Sequence, residues 1–256
     1  MSPELPTGKP VTAALIIVGN EILSGRTSDA NLPYAAAKLN GIGIRLLEVR
    51  VVRDDTDAIV EAVNACRTKY DYVFTTGGIG PTHDDITAAA VARAFGLPLV
   101  RNPQAVALLK RRYAPAGLNA ARLSMAEMPE GAVLIDNPVS GAPGFAIGNV
   151  FALAGVPSIM RAMLDGVTGR LAGGTPMLSR TVSCHLAEGA IAEGLSALQR
   201  RFPEVEIGSY PFFRAGRFGA SLVLRAADET ILSRAAEALR TLIGEFGGEP
   251  FEDEPS

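Results

Sequence analysis

The sequence has 256 residues, a length that suits one large domain or two ordinary ones. Of these residues 48% are hydrophobic and 20% are charged, which is enough apolar material for a buried core. The formal net charge of −3 argues against a general nucleic-acid-binding protein, which normally has a basic face. Cys66 and Cys184 form no motif and are expected to be buried and reduced, while the presence of only two histidines nearly excludes the usual zinc sites. No segment approaches membrane-spanning length and the N-terminus has no apolar core of a signal peptide, so we expect a soluble, cytoplasmic protein.

The first part of the chain alternates between strand and helix patterns. The expected elements are a strand at residues 13–18, a helix from Thr27 or Ser28 to about Asn40, a strand at 44–52, a helix from Asp54 or Asp55 to about Arg67, a strand at 72–76 and a helix at 88–95. The run at 13–18 is continuously apolar, which is typical of a strand buried on both faces of a parallel sheet.

The pattern is less regular from residue 97 onward. It predicts a short strand at 97–101, a helix begun by Asn102-Pro103, a short helix at 120–127, strands at 133–135 and 150–153 around a Gly- and Pro-rich loop at 137–148, and a helix at 157–167. The alternation as a whole predicts an α/β domain at residues 1–168, with a mostly parallel sheet and helices on both sides.

A glycine-rich break at residues 169–174 separates a second pattern of elements. Strands at 179–185, 205–210 and 221–226 with helices at 188–201 and 229–246 predict a small α+β domain at 175–248, followed by a disordered acidic tail at 249–256. Residues 216–219 match the GXXG of a KH domain, but they lie between two strands and are interpreted as a hairpin turn.

Residues 75–87, TTGGIGPTHDDIT, lie between the third strand and the next helix. Their glycines permit a sharp bend that exposes backbone N–H groups, and the start of a helix adds further N–H donors and a partial positive charge. The stretch therefore suits an anion such as phosphate. It is neither a P-loop, since no Lys-Ser or Lys-Thr follows the glycines, nor G-x-G-x-x-G, because position 83 is His.

Asp84 and Asp85 lie in the predicted first turn of that helix, where two carboxylates would repel a phosphate. A divalent cation bound through oxygen between carboxylates and phosphate would remove this conflict. The alternative is that both acids cap the helix, and Thr82 with Asp85 does resemble a capping box. The glycine loop in front of them favours a phosphate-ester site that needs a metal.

Ligands of parallel α/β sheets bind at the carboxyl ends of the strands. Three loops follow strands in the predicted topology, at residues 19–25, 75–85 and 137–144. We therefore expect these three loops to converge on one site.

Residues 19–25, GNEILSG, with Asp29 and Asn31 after them, resemble the molybdopterin-binding-like domain of the competence/damage-inducible protein A (CinA) family. The resemblance continues at 76–87, TGGIGPTHDDIT, at Asn137 with GAPGF at 141–145, and more weakly at Gly155-Val156-Pro157. Residues 207–211, IGSYP, resemble the small middle domain of that family. Ala154 stands where the family usually has Pro, and Ile159 where it usually has Glu.

The resemblance implies a three-layer α/β/α sandwich of the molybdopterin-binding type, as in molybdenum-cofactor biosynthesis proteins, with a second, smaller α+β domain. It also implies a metal-dependent pyrophosphatase that hydrolyses ADP-ribose-like nucleotides, and a homodimer. The nicotinamide-mononucleotide deamidase domain of the longer proteins has no counterpart in this sequence, so no deamidase activity is expected. Partners from nucleic acid or membrane are not expected.

In this hypothesis Asp84 and Asp85 bind a divalent cation such as Mg²⁺ or orient its water, and Glu21 acts as a base or supporting ligand. The candidate residues for binding phosphate or substrate are Gly19, Asn20, Asp29, Asn31, Thr76, Gly77, Gly78, Gly80, Thr82, Thr87, Asn137, Gly141, Pro143 and Gly144. Packing or capping is at least as good an interpretation of Asp29 and Asn31. Two other functions stay open, namely binding or adenylylation of molybdopterin and non-catalytic binding of a nucleotide.

Overall fold

The computed structural model describes residues 10–113, 117–214 and 216–252. Contacts along the chain divide it into two compact units, which meet in sequence between Gly174 and Thr175. Each unit has its own hydrophobic core and is described separately below.

In chain order, the elements of the first unit are β1 (Val11–Val18), α1 (Asn20–Leu23), α2 (Asn31–Gly41), β2 (Ile44–Val52), α3 (Thr56–Arg67), β3 (Tyr72–Thr76), α4 (Thr87–Phe95), β4 (Leu99–Arg101), α5 (Pro103–Arg112), α6 (Ala120–Ser124), β5 (Glu127–Pro129), β6 (Val133–Ile135), β7 (Gly144–Ile147), β8 (Val150–Leu153) and α7 (Pro157–Thr168). The main sheet formed by the described residues has the order β2-β1-β3-β8-β7-β6. Strands β2, β1, β3 and β8 are parallel, whereas β7 is antiparallel to both neighbours.

Alternate side chains of β1 enter two different cores. Ala14, Ile16 and Val18 face the core made with α3, α4 and α5, while Leu15 and Ile17 face the core made with α2 and α7. Because both faces of this central strand are covered by helices, its sequence is continuously apolar. The three-layer α/β/α sandwich with a mostly parallel sheet is therefore confirmed.

Several predicted boundaries differ from those in the structure. Helix α2 begins at Asn31 and not at Thr27 or Ser28. Ala30 stands at its N-cap, and the Asp29 carboxylate, one residue earlier, accepts the N–H of Leu32 at 2.7 Å. The predicted helix at 120–127 ends at Ser124, since Glu127–Pro129 pairs with β4. Strand β7 lies inside the predicted loop at 137–148 and pairs with β8 around a turn at Gly148, which has φ +56°.

The second unit contains β9 (Leu178–Cys184), α8 (Glu188–Arg201), β10 (Glu206–Arg214), β11 (Arg217–Ala226) and α9 (Glu229–Glu245). Its described strands form an antiparallel sheet of order β10-β11-β9, and both helices pack on it around a core that includes Val182, Leu222 and Leu232. This is the small α+β arrangement that the sequence predicts. The hairpin interpretation of residues 216–219 is also confirmed, although Arg217–Gly219 belong to β11 rather than to the turn.

The predicted disordered tail at 249–256 needs a correction. Phe251 pairs with Ser183 through two backbone hydrogen bonds of 2.8 Å, and its ring lies 5.1 Å from that of His185, so this part of the tail is held on the second unit. Residues 253–256 lie outside the described part of the chain. Cys66 and Cys184 are buried and free, as expected. No helix within the described ranges is long and apolar enough to cross a membrane.

Candidate active site

A cavity of about 540 Å³ opens at the carboxyl edge of the parallel strands in the first unit. Its lining includes Val18 at the end of β1 with Gly19 after it, Gly77–Gly80 after β3, and Ala154–Val156 after β8. The predicted convergence of the loops after β1 and β3 with the loop at 137–144 is confirmed, because Glu21, Asp84 and Asn137 all line this cavity.

The loop after β3 has a conformation that only glycines accommodate. Gly77 has φ +98° and Gly78 has φ +68°, a region that other residues rarely adopt. A Cβ at Gly77 would also collide with the Val18 carbonyl oxygen, and a Cβ at Gly78 would collide with the Thr87 hydroxyl. The loop therefore packs against both the end of β1 and the start of α4.

Thr87 stabilises this loop through hydrogen bonds and does not line the cavity. Its hydroxyl donates to the Gly77 carbonyl oxygen at 2.9 Å, and its backbone N–H donates to the Gly78 carbonyl oxygen at 2.9 Å. The residue is buried, so both bonds are shielded from water. Thr87, predicted as a ligand contact, is placed by the structure as a support for the glycines.

Three successive backbone N–H groups, those of Gly78, Ile79 and Gly80, have no acceptor within the described ranges of the protein. All three residues line the cavity. Backbone N–H groups in a concave turn bind anionic oxygens, so this wall of the cavity is a natural place for a phosphate.

Asp85 closes a turn in front of α4. The sequence analysis expected it in the first turn of that helix, and this expectation was wrong. Helix α4 begins at Thr87, which is two residues later, and Ile86 stands at its N-cap. One Asp85 carboxylate oxygen accepts the Thr82 N–H at 2.7 Å and also the Thr82 hydroxyl. This bonding occupies one oxygen of Asp85 and leaves the other without a donor in the described structure.

Asp84 is exposed at the cavity and has a carboxylate that favours the ionised form. Its pKa is lowered from the ordinary value by polar contact with the Thr82 side chain, then by its own backbone N–H and by the nearby His83. The described residues hold no cluster of three or more His, Cys, Asp or Glu side chains around one point. A metal here would thus have at most two carboxylate ligands, a donor set that suits Mg²⁺ completed by phosphate oxygens and water.

Two further carboxylates approach the cavity from the β1 and β2 ends. Glu21 belongs to the short helix α1, and its carboxylate folds back over Gly19, where a Cβ would lie 2.5 Å from both oxygens. Asp54, which the sequence analysis treated as a helix cap, instead accepts the Asn20 N–H at 2.8 Å and lines the cavity, while Asp55 caps α3. Its position just past the end of a parallel strand is the signal that could have identified it.

Asn137 shapes the third loop from inside. Its side-chain oxygen accepts the N–H groups of Val139 and Ser140 at 3.2 and 3.1 Å, and its amide donates to the Ala142 carbonyl oxygen at 2.8 Å. The side chain is buried and at least four of its possible bonds lie within this loop, including one to the Ser140 hydroxyl at 2.6 Å. Asn137 lines the cavity mainly as the organiser of the loop.

Several predicted contact residues lie outside the cavity lining, namely Asn20, Asp29, Asn31, Thr76, Thr87, Gly141, Pro143 and Gly144. Asn31 is buried and donates to the Gly155 carbonyl oxygen at 2.8 Å, which holds the loop after β8. Gly144 packs against the Ala152 carbonyl oxygen, and Gly141, at φ +77°, packs against the Arg112 side chain. Asn31, Gly141 and Gly144 thus pack around the loops of the site without lining its cavity.

Part of the cavity lining comes from residues that the sequence analysis missed. Tyr113, Arg122 and Met125 line the cavity from the segment that includes the end of α5 and α6. No motif marks them, because they reach the cavity only through the packing of this segment on the sheet. Ala154 and Ile159, the two departures from the family pattern, also line the cavity, so the loop after β8 belongs to this site.

The second unit has a larger open groove of about 750 Å³ between α8 and α9. Its lining combines the small residues Gly194, Ala197 and Ala238 with the charged residues Arg201, Arg234, Glu237 and Glu245. It contains no glycine turn with free N–H groups and is not where the candidate residues meet. We therefore place the candidate active site in the first unit.

Comparison with known proteins agrees with this division. Residues 14–173 match the model of a family described as a probable molybdopterin binding domain, and residues 176–247 match the middle domain of FAD synthase. A protein of Aeropyrum pernix is 34% identical over 94% of this chain and 97% of its own length.

Two relatives with more informative names are longer than this chain. A CinA-like protein of Desulfosudis oleivorans is 35% identical over 77% of this chain and 51% of its own length. A probable FAD synthase of Caenorhabditis briggsae is 29% identical over 94% of this chain and 50% of its own length. Among solved structures, CinA of Thermoplasma acidophilum superposes with a TM-score of 0.60 at 38% identity, covering 63% of this chain and 98% of that protein.

Proposed function

Since the chain belongs to the probable molybdopterin binding domain family, together with CinA-like proteins, we propose that it hydrolyses the diphosphate of ADP-ribose-like nucleotides with a divalent cation. The observation that carries this proposal is the meeting of three free N–H groups, at Gly78–Gly80, with the carboxylates of Asp84 and Glu21 in one cavity. Its volume of about 540 Å³ is in the range of small-molecule sites.

The protein groups divide the work by their charge. The N–H groups of Gly78–Gly80 bind oxygens of one phosphate, and Asp84, with the free oxygen of Asp85, would hold the cation beside it. When bound, a divalent cation supplies charge stabilisation on the phosphoryl oxygens and lowers the pKa of water.

Glu21 is the base in this proposal. Its carboxylate accepts no hydrogen bond from the described residues and faces the cavity, so it is available for a proton. The oxygen of a water molecule attacks one phosphorus, the bridging P–O bond breaks, and Glu21 takes the proton of the water. The products of ADP-ribose are AMP and ribose 5-phosphate.

Binding of molybdopterin is the second candidate, and the family match over residues 14–173 favours it. The same N–H groups would then hold the phosphate of the pterin without hydrolysis. The two candidates differ in the role of the cation. Only hydrolysis requires a cation, held by Asp84, beside a phosphate that reacts with water.

The test is the release of AMP from ADP-ribose, with and without Mg²⁺, by the wild type and by Asp84→Asn. We expect Mg²⁺-dependent release by the wild type and a loss of about 100-fold or more in kcat for the variant. Asp57→Asn is the matched control, because Asp57 is exposed on α3, lies outside the cavity lining and pairs with Arg93 at the surface. It should keep full activity.

Circular dichroism and thermal unfolding would verify that Asp84→Asn is folded. Absence of turnover by the wild type, accompanied by tight binding of molybdopterin, would contradict the hydrolase and support the second candidate. Turnover that is indifferent to Mg²⁺ would contradict the role of Asp84.

A further inference from the structure

The charges around the cavity are unbalanced. Four carboxylates, those of Glu21, Asp54, Asp84 and Asp85, belong to the lining, while Arg122 is the one cationic side chain among the lining residues that the structure describes. A diphosphate carries its negative charge on two phosphoryl groups. The free N–H groups of the glycine loop serve one of these groups, and the other needs a separate cationic partner.

Arg122 is held in a defined position. Its guanidinium lies over the ring of Tyr113, with its central carbon 4.5 Å from the ring centre, and one N–H donates to the Gly117 carbonyl oxygen. Stacking on an aromatic ring fixes the plane of the guanidinium and leaves its edge free for hydrogen bonds.

The remaining donors of Arg122 are not used by the protein. No carboxylate within the described ranges lies at ion-pair distance from this side chain, and its other N–H groups have no acceptor there. Arg101, by contrast, pairs with Glu127 at 2.7 Å. A positioned guanidinium without a counter-charge, at the wall of an anion-binding cavity, is suited to a phosphate.

We infer that Arg122 binds the second phosphate of a nucleoside diphosphate group whose first phosphate is held by Gly78–Gly80, with Tyr113 as the residue that positions it. This inference rests on the proposed function and narrows its ligand class. The cavity selects two adjacent phosphates over one, because the planar fork of an arginine can pair with two oxygens of the second phosphate.

The experiment measures the binding of ADP and AMP to the full chain by calorimetry at a fixed Mg²⁺ concentration. Arg122→Ala should weaken ADP binding by about 10- to 100-fold and should change AMP binding by less than about twofold, since a charged hydrogen bond is lost with the second phosphate alone. Arg122→Lys keeps the charge without the planar fork, so its affinity for ADP should lie between those of the wild type and Arg122→Ala.

Two further variants separate recognition from structure. Arg111→Ala is the matched control, because Arg111 is exposed on α5, close in sequence, and outside the cavity lining. Tyr113→Phe keeps the ring and should bind ADP like the wild type, whereas Tyr113→Leu should lose part of the preference for ADP over AMP while AMP binding stays unchanged.

The outcomes of this inference and of the proposed function can be told apart. Equal weakening of ADP and AMP by Arg122→Ala, or no change in either, overturns the role of Arg122 even if ADP-ribose is hydrolysed. Arg122-dependent ADP binding without hydrolysis of ADP-ribose supports the role of Arg122 and contradicts the hydrolase. A wild type that binds neither ADP nor AMP overturns both.

Discussion

At the scale of single residues, two glycines with nearly the same φ differ in their surroundings. Gly78 has φ +68° and Gly25 has φ +70°, a region that residues with a Cβ rarely adopt. A Cβ at Gly25 meets nothing within 4 Å, whereas one at Gly78 collides with the Thr87 hydroxyl. Substitutions at Gly25 and Gly78 therefore distinguish the free-energy cost of a positive φ from the additional cost of a steric clash with Thr87.

Gly25→Ala should lower the free energy of unfolding by about 1 kcal/mol, the cost of a positive φ for a residue with a Cβ. Gly78→Ala should lower it by about 1–3 kcal/mol more, because the Thr87 side chain must move. Urea unfolding of both variants measures the difference. Equal losses would mean that the loop relaxes freely and that Thr87 does not hold it.

At the scale of elements, strand β2 is held by a polar cluster around Glu48. Its carboxylate accepts hydrogen bonds from the Tyr70 hydroxyl at 2.5 Å, from Lys69 at 3.0 Å and from Arg50 at 2.7 Å. These donors, Tyr70 foremost, lower the pKa of Glu48 from 4.5 to about 2. The cluster thus joins the edge strand of the sheet to the segment between α3 and β3.

The lowered pKa predicts a loss of stability in acid. A carboxyl with a lower pKa in the folded state stabilises fully above its unfolded pKa, here near 4.5, and this contribution is lost as the pH falls toward about 2. Glu48→Gln should therefore be less stable than the wild type near neutral pH, and the difference should shrink over that window. Urea unfolding at a series of pH values measures it.

Glu130→Gln is the control for this prediction, since Glu130 is an exposed residue of the same unit whose side chain has no partner among the described residues. It should show little change in the pH profile. A Glu48→Gln difference that stays constant down to about pH 2 would contradict the prediction.

At the scale of the whole molecule, the boundary between the units lies at the end of the predicted glycine break at 169–174, between Gly174 and Thr175. The Tyr72 hydroxyl bonds with the backbone of Ala172, and a Cβ at Gly173 would collide with the Ile42 carbonyl oxygen. Residues up to Gly174 are thus attached to the first unit. All residues of the candidate site belong to that unit as well.

Limited proteolysis should consequently cut after Gly174, near residues 175–177, and leave a stable first fragment. A protein made of residues 10–174 should fold and keep Mg²⁺-dependent release of AMP within about twofold, because both of its cores and the whole cavity are internal to it. Circular dichroism and the AMP assay check this. An unfolded fragment would show that the second unit completes the first.

The homodimer implied by the family resemblance stays a prediction, which gel filtration of the full chain and of the fragment 10–174 can address.

Much of the fold could be predicted because its signals are local. The bounds of β2, β3 and α8 agree with the structure residue by residue, since their apolar patterns lie within single short stretches of sequence. The glycine loop and the three converging segments were predicted for the same reason, as glycines and strand ends are visible in a single stretch of sequence.

Other features depend on residues that are distant in the sequence. Glu127–Pro129 becomes a strand because it pairs with β4, and Asn31 holds the loop after β8 through the Gly155 carbonyl oxygen. Tyr113 and Arg122 carry no motif and reach the cavity only when their segment packs on the sheet. Local patterns thus establish the order of elements, the parallel sheet and the anion-binding loop of this protein. The part of the lining that contains Tyr113 and Arg122, and with it the balance of charge that a ligand meets, follows from long-range packing, which no short stretch of sequence encodes.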